Sequence, residues 1–171
     1  PSADANYAAL KVRFPMAKRV HGVKGIHQAH IAAAKKCFTK MFWIVDADAI
    51  VMDNFNFDYI VPKHQLDHVH VWRAKNPVND LVYGYGGVKL FPRQMTIDMD
   101  TSKADMTTSI SQHFIAVEQV ANITAFNIDA FSAWRSAFRE CAKLSSKTIL
   151  RQNNEETEDR LNIWCTKGAE Q

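Results

Sequence analysis

The chain has 171 residues, of which 47% are hydrophobic and 23% charged, a composition typical of one packed globular domain. It contains only 6 glycines and 5 prolines, which excludes collagen-like and low-complexity classes. The 21 basic and 18 acidic residues leave a net charge of +3, which permits a polyanionic partner but is far from that of a nucleic-acid-binding tail. The longest apolar run, residues 41–45, is much shorter than the roughly 20 residues of a membrane helix, so no membrane partner is predicted.

The number and spacing of the cysteines predict the redox environment of the protein. Cys37, Cys141 and Cys165 are far apart and odd in number, which argues against a disulfide framework or a cysteine-based zinc site. We therefore expect a reducing, cytoplasmic environment.

The sequence opens directly into a predicted helix, without an initiator methionine or a signal peptide. We expect residues 1–171 to be a single domain and a piece of a longer protein.

The first third of the chain predicts two helices. Asp4 can cap a helix that ends before Pro15, because the residue before a proline is displaced from the α region. A short strand is predicted over residues 19–23. From about His27 an alanine-rich segment carries apolar residues at spacings of three and four, which predicts a helix with one buried stripe.

Four later segments have the patterns of strands. Residues 41–45, MFWIV, form a continuous apolar run, which predicts a central strand buried on both faces of a mostly parallel sheet. Residues 68–72 alternate between polar and apolar, and residues 88–91 form another strand before a proline. Residues 76–87 are rich in turn formers and predict a loop or hairpin, and residues 115–120 predict a strand. A helix that leads into a buried strand indicates an α/β architecture.

The last part of the chain predicts two more helices. Asn127 or Asp129 can cap the first of them. Phe131, Trp134 and Phe138 fall on one side of that helix, and we predict that this aromatic stripe belongs to the core. The last helix is predicted from about residue 155 to 164.

Asp46 and Asp48 follow the MFWIV strand directly and are the sharpest chemical feature of the sequence. In an open α/β sheet, ligands bind outside the carboxyl ends of the strands. Carboxylate oxygens there can hold Mg²⁺ or Mn²⁺, which in turn neutralises a diphosphate. The alternative is a pair of solvated turn aspartates. The buried strand in front of them favours the metal site.

Four sequence blocks resemble a known family. Residues 20–26, followed by a helix and then residues 39–48 with the D-x-D motif, resemble the nucleotide-sugar-binding half of the GT-A glycosyltransferases. Residues 76–93 and 124–135 look more specifically like the bacteriophage TET-associated glycosyltransferases, which decorate hydroxymethylpyrimidines in DNA. The GT-A resemblance covers most of residues 19–143.

The resemblance implies a fold and a set of roles. The fold would be the GT-A (Rossmann-like) nucleotide-diphospho-sugar transferase fold, with a mixed, mostly parallel sheet flanked by helices and truncated at both ends, because neither the opening base-binding strand nor a late metal-binding histidine is evident. Asp48 would ligate the metal, and Asp46 would contact the ribose or a metal-bound water. Lys24 would lie near the diphosphate, and Asp129 would take the proton of the acceptor hydroxyl as general base. A solvated lysine and a helix cap are the respective alternatives.

A glycine and tyrosine cluster is the candidate acceptor site. Gly86 and Gly87, with the nearby Gly84, would let the backbone approach a ligand closely, while Tyr83 and Tyr85 offer stacking faces. The alternative is a hairpin turn that requires glycine.

His68 and His70 would share one face of a strand and suggest zinc, but no cysteine lies nearby. The sequence instead favours a glycosyltransferase that uses Mn²⁺ or Mg²⁺ to move a sugar from a nucleoside diphosphate sugar to a hydroxyl acceptor, including modified phage DNA. If the protein is phage-encoded, its expected location is the host cytoplasm. The alternatives are a catalytically silent sugar- or nucleotide-binding domain and a DNA-binding module, the latter disfavoured because the basic residues are scattered.

Overall fold

A computed structural model of the chain describes residues 2–103, 105–125, 127–146 and 153–167, except for the side chains of Tyr83 and Tyr85. The helices of this described part are α1 (Ser2–Arg13), α2 (Ile26–Lys35), α3 (Arg93–Ile97), α4 (Met106–Ile110), α5 (Ala130–Ser145) and α6 (Asn154–Thr166), with a 3-10 turn at Lys63–Gln65. The strands are β1 (Met41–Val45), β2 (Ala49–Val51), β3 (Val69–Lys75), β4 (Val82–Pro92) and β5 (Phe114–Thr124). The molecule is a mixed α/β fold.

The five strands form one mixed sheet in the order β1-β4-β3-β5-β2. Only β3 and β5 pair in parallel, and the other three pairings are antiparallel. The expected mostly parallel sheet is therefore wrong. Part of the difference arises at residues 76–81, where a turn with Asp80 at a φ of 58° joins β3 to β4 as a hairpin. A hairpin makes its two strands antiparallel.

The core has two parts, one on each face of the sheet. On one face, α2 and the segment of α3 and α4 pack over a cluster that includes Phe42, Val71 and Phe91. On the other face, Trp43 and Trp72 pack against aromatic residues of the segment that follows β2, such as Phe55. Burying these large side chains supplies most of the hydrophobic stabilisation of the sheet.

MFWIV forms strand β1 as predicted, but it is not a central strand. Among the described strands β1 pairs only with β4, and it lies at the edge of the sheet. Both of its faces are nevertheless covered, by the two core clusters. A continuous apolar run indicates that both faces of a strand are covered by other residues. It does not indicate how many strands pair with that strand.

Residues 19–23 do not form the predicted strand. The carbonyl of Arg19 accepts a hydrogen bond from Lys36 Nζ at 3.0 Å, and Lys18 Nζ donates to the Lys36 carbonyl at 2.8 Å. These bonds tie the segment to the carboxyl end of α2. The Lys36 side chain therefore satisfies a backbone carbonyl that a neighbouring strand would satisfy in a sheet.

The aromatic stripe of α5 is exposed, so its assignment to the core is wrong. Phe131, Trp134 and Phe138 are 66%, 61% and 65% exposed, respectively. The rings contact one another, with 5.7 Å between the centroids of Trp134 and Phe138. Helix α5 packs mainly on α6, and Leu144 is its buried residue among those described.

No helix in the described ranges is both long and apolar enough to span a membrane.

Candidate functional site

The segment of Asp46, Ala47 and Asp48 joins β1 to β2, which lie at opposite ends of the strand order. Its backbone is held on both sides. The Asp46 amide donates to the Gly87 carbonyl of β4 at 2.9 Å, and the Ala125 amide, just after β5, donates to the Asp48 carbonyl at 3.0 Å. The two aspartates therefore lie where β1, β3 and β5 end, as the sequence predicts. This edge of the sheet is the usual place for a ligand in an α/β fold.

Asp46 forms an ion pair with Lys89, a residue that sequence reasoning missed. Lys89 Nζ lies 2.6 Å from Asp46 Oδ1, and the two side chains are 7% and 38% exposed, respectively. Lys89 is on β4, and its neighbour across the ladder is Ile44 of β1, two residues before Asp46. The strand alternation thus turns both side chains to the α2 face of the sheet. A buried ammonium requires such a partner, because isolated charges are costly away from water.

Asp48 has a different environment from Asp46. It is exposed, and its carboxylate makes no hydrogen bond or ion pair with any other described residue. The Ala47 carbonyl between them accepts a hydrogen bond from Asn6 of α1 at 2.9 Å. The site therefore presents one aspartate that is already neutralised and one that is open to solvent.

His30 of α2 adds an unsatisfied polar atom beside the ion pair. Its ring is 8% exposed, and Nδ1 bonds to the Ile26 carbonyl at 2.8 Å while the buried Nε2 has no partner. Burial lowers the pKa of His30, and the hydrogen bond to the Ile26 carbonyl opposes this shift in part. The His30 ring lies 5.9 Å from the ring of Phe91, two residues along β4 from Lys89, so the imidazole packs on the α2 face of the sheet.

Lys24 precedes α2 and is exposed. It is followed by Gly25, whose φ of 95° is the left-handed conformation that glycine accommodates before the helix starts. No hydrogen bond or ion pair joins Lys24 to the aspartates among the described residues. Its contact with a diphosphate stays a prediction.

The glycine cluster lies inside β4, beyond the turn at residues 76–81, so these glycines do not form the hairpin turn. Gly84 is the one of the three with a positive φ, 70°. A Cβ on Gly87 would lie 2.3 Å from Nδ2 of Asn122, a fully buried residue of β5. The absence of a side chain at Gly87 therefore leaves room for the Asn122 side chain, and not for a ligand. At Gly86 the nearest atom to such a Cβ is 4.0 Å away. The acceptor contacts predicted for Tyr83 and Tyr85 fall on side chains outside the described part, and those of Gly86 and Gly87 stay predictions.

Asp129 is the N-cap of α5, the alternative that the sequence left open. Its Oδ1 accepts from the Ser132 amide at 2.8 Å and its Oδ2 from the Ser132 hydroxyl at 2.7 Å. These hydrogen bonds lower the pKa of Asp129, which weakens it as a base. Asp129 lies four residues beyond Ala125, so at most about 14 Å of chain separates it from the backbone bonded to Asp48.

The carboxylates of Asp46 and Asp48 fit a cation that takes its remaining ligands from a bound substrate and water. Within the described ranges, no group of three His, Cys, Asp or Glu side chains is arranged to hold a metal ion. Asp46 and Asp48 supply hard carboxylate oxygens, and Mg²⁺ is commonly held by one or two carboxylates plus substrate phosphates and water. His68 stacks on His113 with 4.8 Å between ring centroids, and His70 is buried.

The fold and the position of the aspartates define a mixed α/β protein with acidic residues at a strand-end edge. Comparisons with protein-family models, with curated proteins and with solved structures found no match to this chain.

Proposed function

We propose that this chain is part of a metal-dependent glycosyltransferase that moves a sugar from a nucleoside diphosphate sugar to a hydroxyl acceptor, including the hydroxymethylated bases of phage DNA. The observation that carries the proposal is the environment of the D-x-D segment. Asp48 has an exposed carboxylate without a partner among the described residues, and Asp46, two residues before it, is paired with Lys89. This arrangement suits a cation that also binds a diphosphate.

Each of these residues has a chemical task in the proposed reaction. Mn²⁺ or Mg²⁺, when bound, would stabilise the negative charge of the leaving diphosphate. Asp48 would hold the cation, and Asp46 would hold a cation-bound water or the ribose. Lys89, which pairs with Asp46, and Lys24, just before α2, would both attract a diphosphate.

The acceptor side of the site is the less constrained part of the proposal. Asp129 would remove the proton of the attacking hydroxyl, for which it must release the two hydrogen bonds that it accepts from Ser132. Tyr83, Tyr85, Gly86 and Gly87 would contact the acceptor. Backbone at Gly84 and Gly86 leaves open space around the strand, since a Cβ at either position would meet no atom closer than 4.0 Å.

The Lys89–Asp46 pair also favours a second candidate. A carboxylate that is already neutralised at 2.6 Å can serve a catalytically silent sugar- or nucleotide-binding domain without any metal. The two candidates differ in one observable. Only the transferase releases a nucleoside diphosphate in a metal-dependent way.

The first experiment measures release of nucleoside diphosphate from a panel of nucleoside diphosphate sugars, with and without Mn²⁺. Hydroxymethylated DNA, unmodified DNA and water serve as acceptors. The proposal predicts metal-dependent release that increases with hydroxymethylated DNA. Binding of a sugar nucleotide without metal-dependent release would instead establish the silent binding domain.

The second experiment replaces Asp48 by Asn. We expect sugar transfer to be nearly abolished with the fold intact, because an exposed isostere removes a charge without opening a cavity. Asp58→Asn, at another exposed aspartate, is the matched control and should retain activity. Equal activity of the wild type and Asp48→Asn would contradict the proposed mechanism.

A further inference from the structure

We propose that the exposed face of α5 binds a single strand of nucleic acid, whose bases stack on the aromatic rings of the helix while its phosphates contact the basic side chains. This inference goes beyond the proposed function, because it concerns a surface outside the D-x-D segment and does not depend on sugar transfer. The observation that suggests it is a stripe of exposed aromatic residues beside a stripe of unpaired basic residues on one helix.

The aromatic stripe consists of Phe131, Trp134 and Phe138, each more than half exposed. Their rings are nearly parallel, with 33° between the planes of Phe131 and Trp134 and 20° between those of Trp134 and Phe138. Several large apolar side chains exposed side by side usually mark an interaction site on a soluble protein. Exposed rings in similar orientations suit the stacking of successive bases.

The basic stripe runs along the same helix. Arg135, Arg139 and Lys143 follow one another at intervals of four residues, so they line up at steps of about 6 Å along the helix axis. All three are exposed, and their side chains make no hydrogen bond or ion pair with another described residue. Like charges four residues apart destabilise a helix, so the stability of α5 does not account for this stripe.

The relative position of the two stripes matches a single strand. Arg135 and Arg139 directly follow Trp134 and Phe138, so each cation is turned by about 100° to the same side of a ring. A single strand likewise carries its bases on one side and its phosphates on the other. The exposed residues of α5 include no aspartate or glutamate that would repel the phosphates. Aromatic rings beside a row of cations are the usual means of single-strand binding.

Two other partners fit this face less well. Membrane binding by a surface helix grows with the apolar area that it buries, and the exposed part of α5 has no aliphatic side chain larger than alanine. A second copy of the chain would offer exposed acidic residues of α6, such as Glu155 and Glu158, to the cations. The exposed residues around those two are polar, so they would leave the aromatic rings without an apolar cover.

The test measures binding of fluorescein-labelled oligothymidylate and oligouridylate to the 171-residue chain by fluorescence anisotropy, and the two strands distinguish DNA from RNA. EDTA is present and sugar nucleotides are absent, so the result does not depend on a transferase. An abasic strand of the same length has phosphates without bases, and a duplex of the same length keeps its bases inside. We expect the single strands to bind and both controls to bind more weakly.

Trp134→Leu tests the stacking, because leucine keeps an apolar side chain but lacks a ring. It should weaken binding by about 5- to 150-fold, the usual effect of losing one stacked base, while urea denaturation shows an intact fold. Phe38→Leu is the matched control. Phe38 is 88% exposed and also has a cation on its ring, with 4.9 Å between Lys18 Nζ and the ring centroid. Its affinity should equal that of the wild type.

Arg139→Gln tests the phosphate contacts through their salt dependence. Each neutralised phosphate of a single strand contributes about −0.7 to the slope of log affinity against log salt. The variant should therefore have a slope smaller in magnitude by about 0.7. Lys63→Gln removes one exposed positive charge from the 3-10 turn and should leave the slope unchanged.

Three results would overturn the inference. The first is equal binding of the abasic strand and oligothymidylate, and the second is equal affinity of the wild type and Trp134→Leu. The third is a failure to bind single strands together with binding to phosphatidylserine vesicles, or self-association in sedimentation, that Trp134→Leu abolishes. Such a result would assign the face to a membrane surface or to a second copy of the chain.

Discussion

Gly87 and Asn122 are in closer contact than their separation in the strand order suggests. Strand β3 lies between β4 and β5, yet the Asn122 side chain occupies the space above Gly87. We predict that Gly87→Ala lowers the free energy of unfolding by about 1–3 kcal/mol, the usual cost of overpacking. Urea denaturation measures the change.

Gly86→Ala is the control for that prediction. A Cβ at this position would lie 4.0 Å from the nearest atom, so stability should change little. Asn122→Ala combined with Gly87→Ala should cost less than the sum of the two single changes, because the truncated side chain vacates the space. Equal destabilisation by Gly86→Ala and Gly87→Ala would show that the contact is not the cause.

Asp129 can be tested as a cap and as a base with the same two variants. Asn accepts the same amide hydrogen bond, so Asp129→Asn should preserve stability whereas Asp129→Ala should lower it. If Asp129 is also the general base, Asp129→Asn should lower turnover while sparing donor binding, because proton transfer belongs to the chemical step. Unchanged turnover in Asp129→Asn would leave the cap as its function.

The pKa of Asp129 sets the pH at which its cap weakens. Because the hydrogen bonds from Ser132 lower that pKa in the folded state, the stabilisation is present above the ordinary aspartate pKa of about 4 and is lost as the pH falls below it. The difference in stability between the wild type and Asp129→Ala should therefore shrink in acid.

Helix α5 carries its aromatic residues on the exposed side, and this changes what its mutations should do. Trp134→Gln should change the free energy of unfolding by no more than about 0.5 kcal/mol, as expected for an exposed position. Leu144→Ala, on the same helix, should cost about 2–5 kcal/mol because Leu144 is fully buried. A large loss in Trp134→Gln would show that the aromatic stripe is covered in solution.

The elements around the site are tied together by backbone hydrogen bonds and by single side chains. Arg13 at the end of α1 donates to the carbonyls of Met52, Asp53 and Phe55, which follow β2. Charged donors to carbonyl oxygens are among the stronger hydrogen bonds of a protein. The position of α1 beside the D-x-D segment thus depends on this guanidinium and on the Asn6 side chain, which donates to the Ala47 carbonyl.

At the scale of the whole molecule, two buried histidines link stability to pH. Burial lowers the pKa of His30 and of His70 below the ordinary value for histidine. As the pH falls below about 6.5, the unfolded chain binds protons that the folded protein does not. The free energy of unfolding should therefore decrease between pH 7 and pH 5.

Denaturation at several pH values checks this linkage. His30→Gln and His70→Gln should each reduce the slope of stability against pH, whereas the exposed His64→Gln should leave it unchanged. An identical slope in the wild type and the double variant His30→Gln, His70→Gln would show that other groups control the acid response.

Local sequence patterns determined most of the secondary structure. The period of apolar residues predicted α2 and β3 because helices and strands repeat every 3.6 and 2 residues, and a continuous apolar run predicted β1. The position of Asp46 and Asp48 after β1 follows from the same reasoning. The short β2 and the start of β4 at Val82 escaped it, because the first is only 3 residues long and the second is rich in glycine.

The tertiary structure alone decided which residues surround the site. Lys89 is 43 residues from Asp46, and neither its charge nor its strand pattern indicates a pairing with that aspartate. The same holds for the edge position of β1 and for the exposure of the α5 aromatic stripe. Periodicity shows which residues share a face, but strand neighbours and covered faces arise from contacts between distant segments, which no local pattern contains.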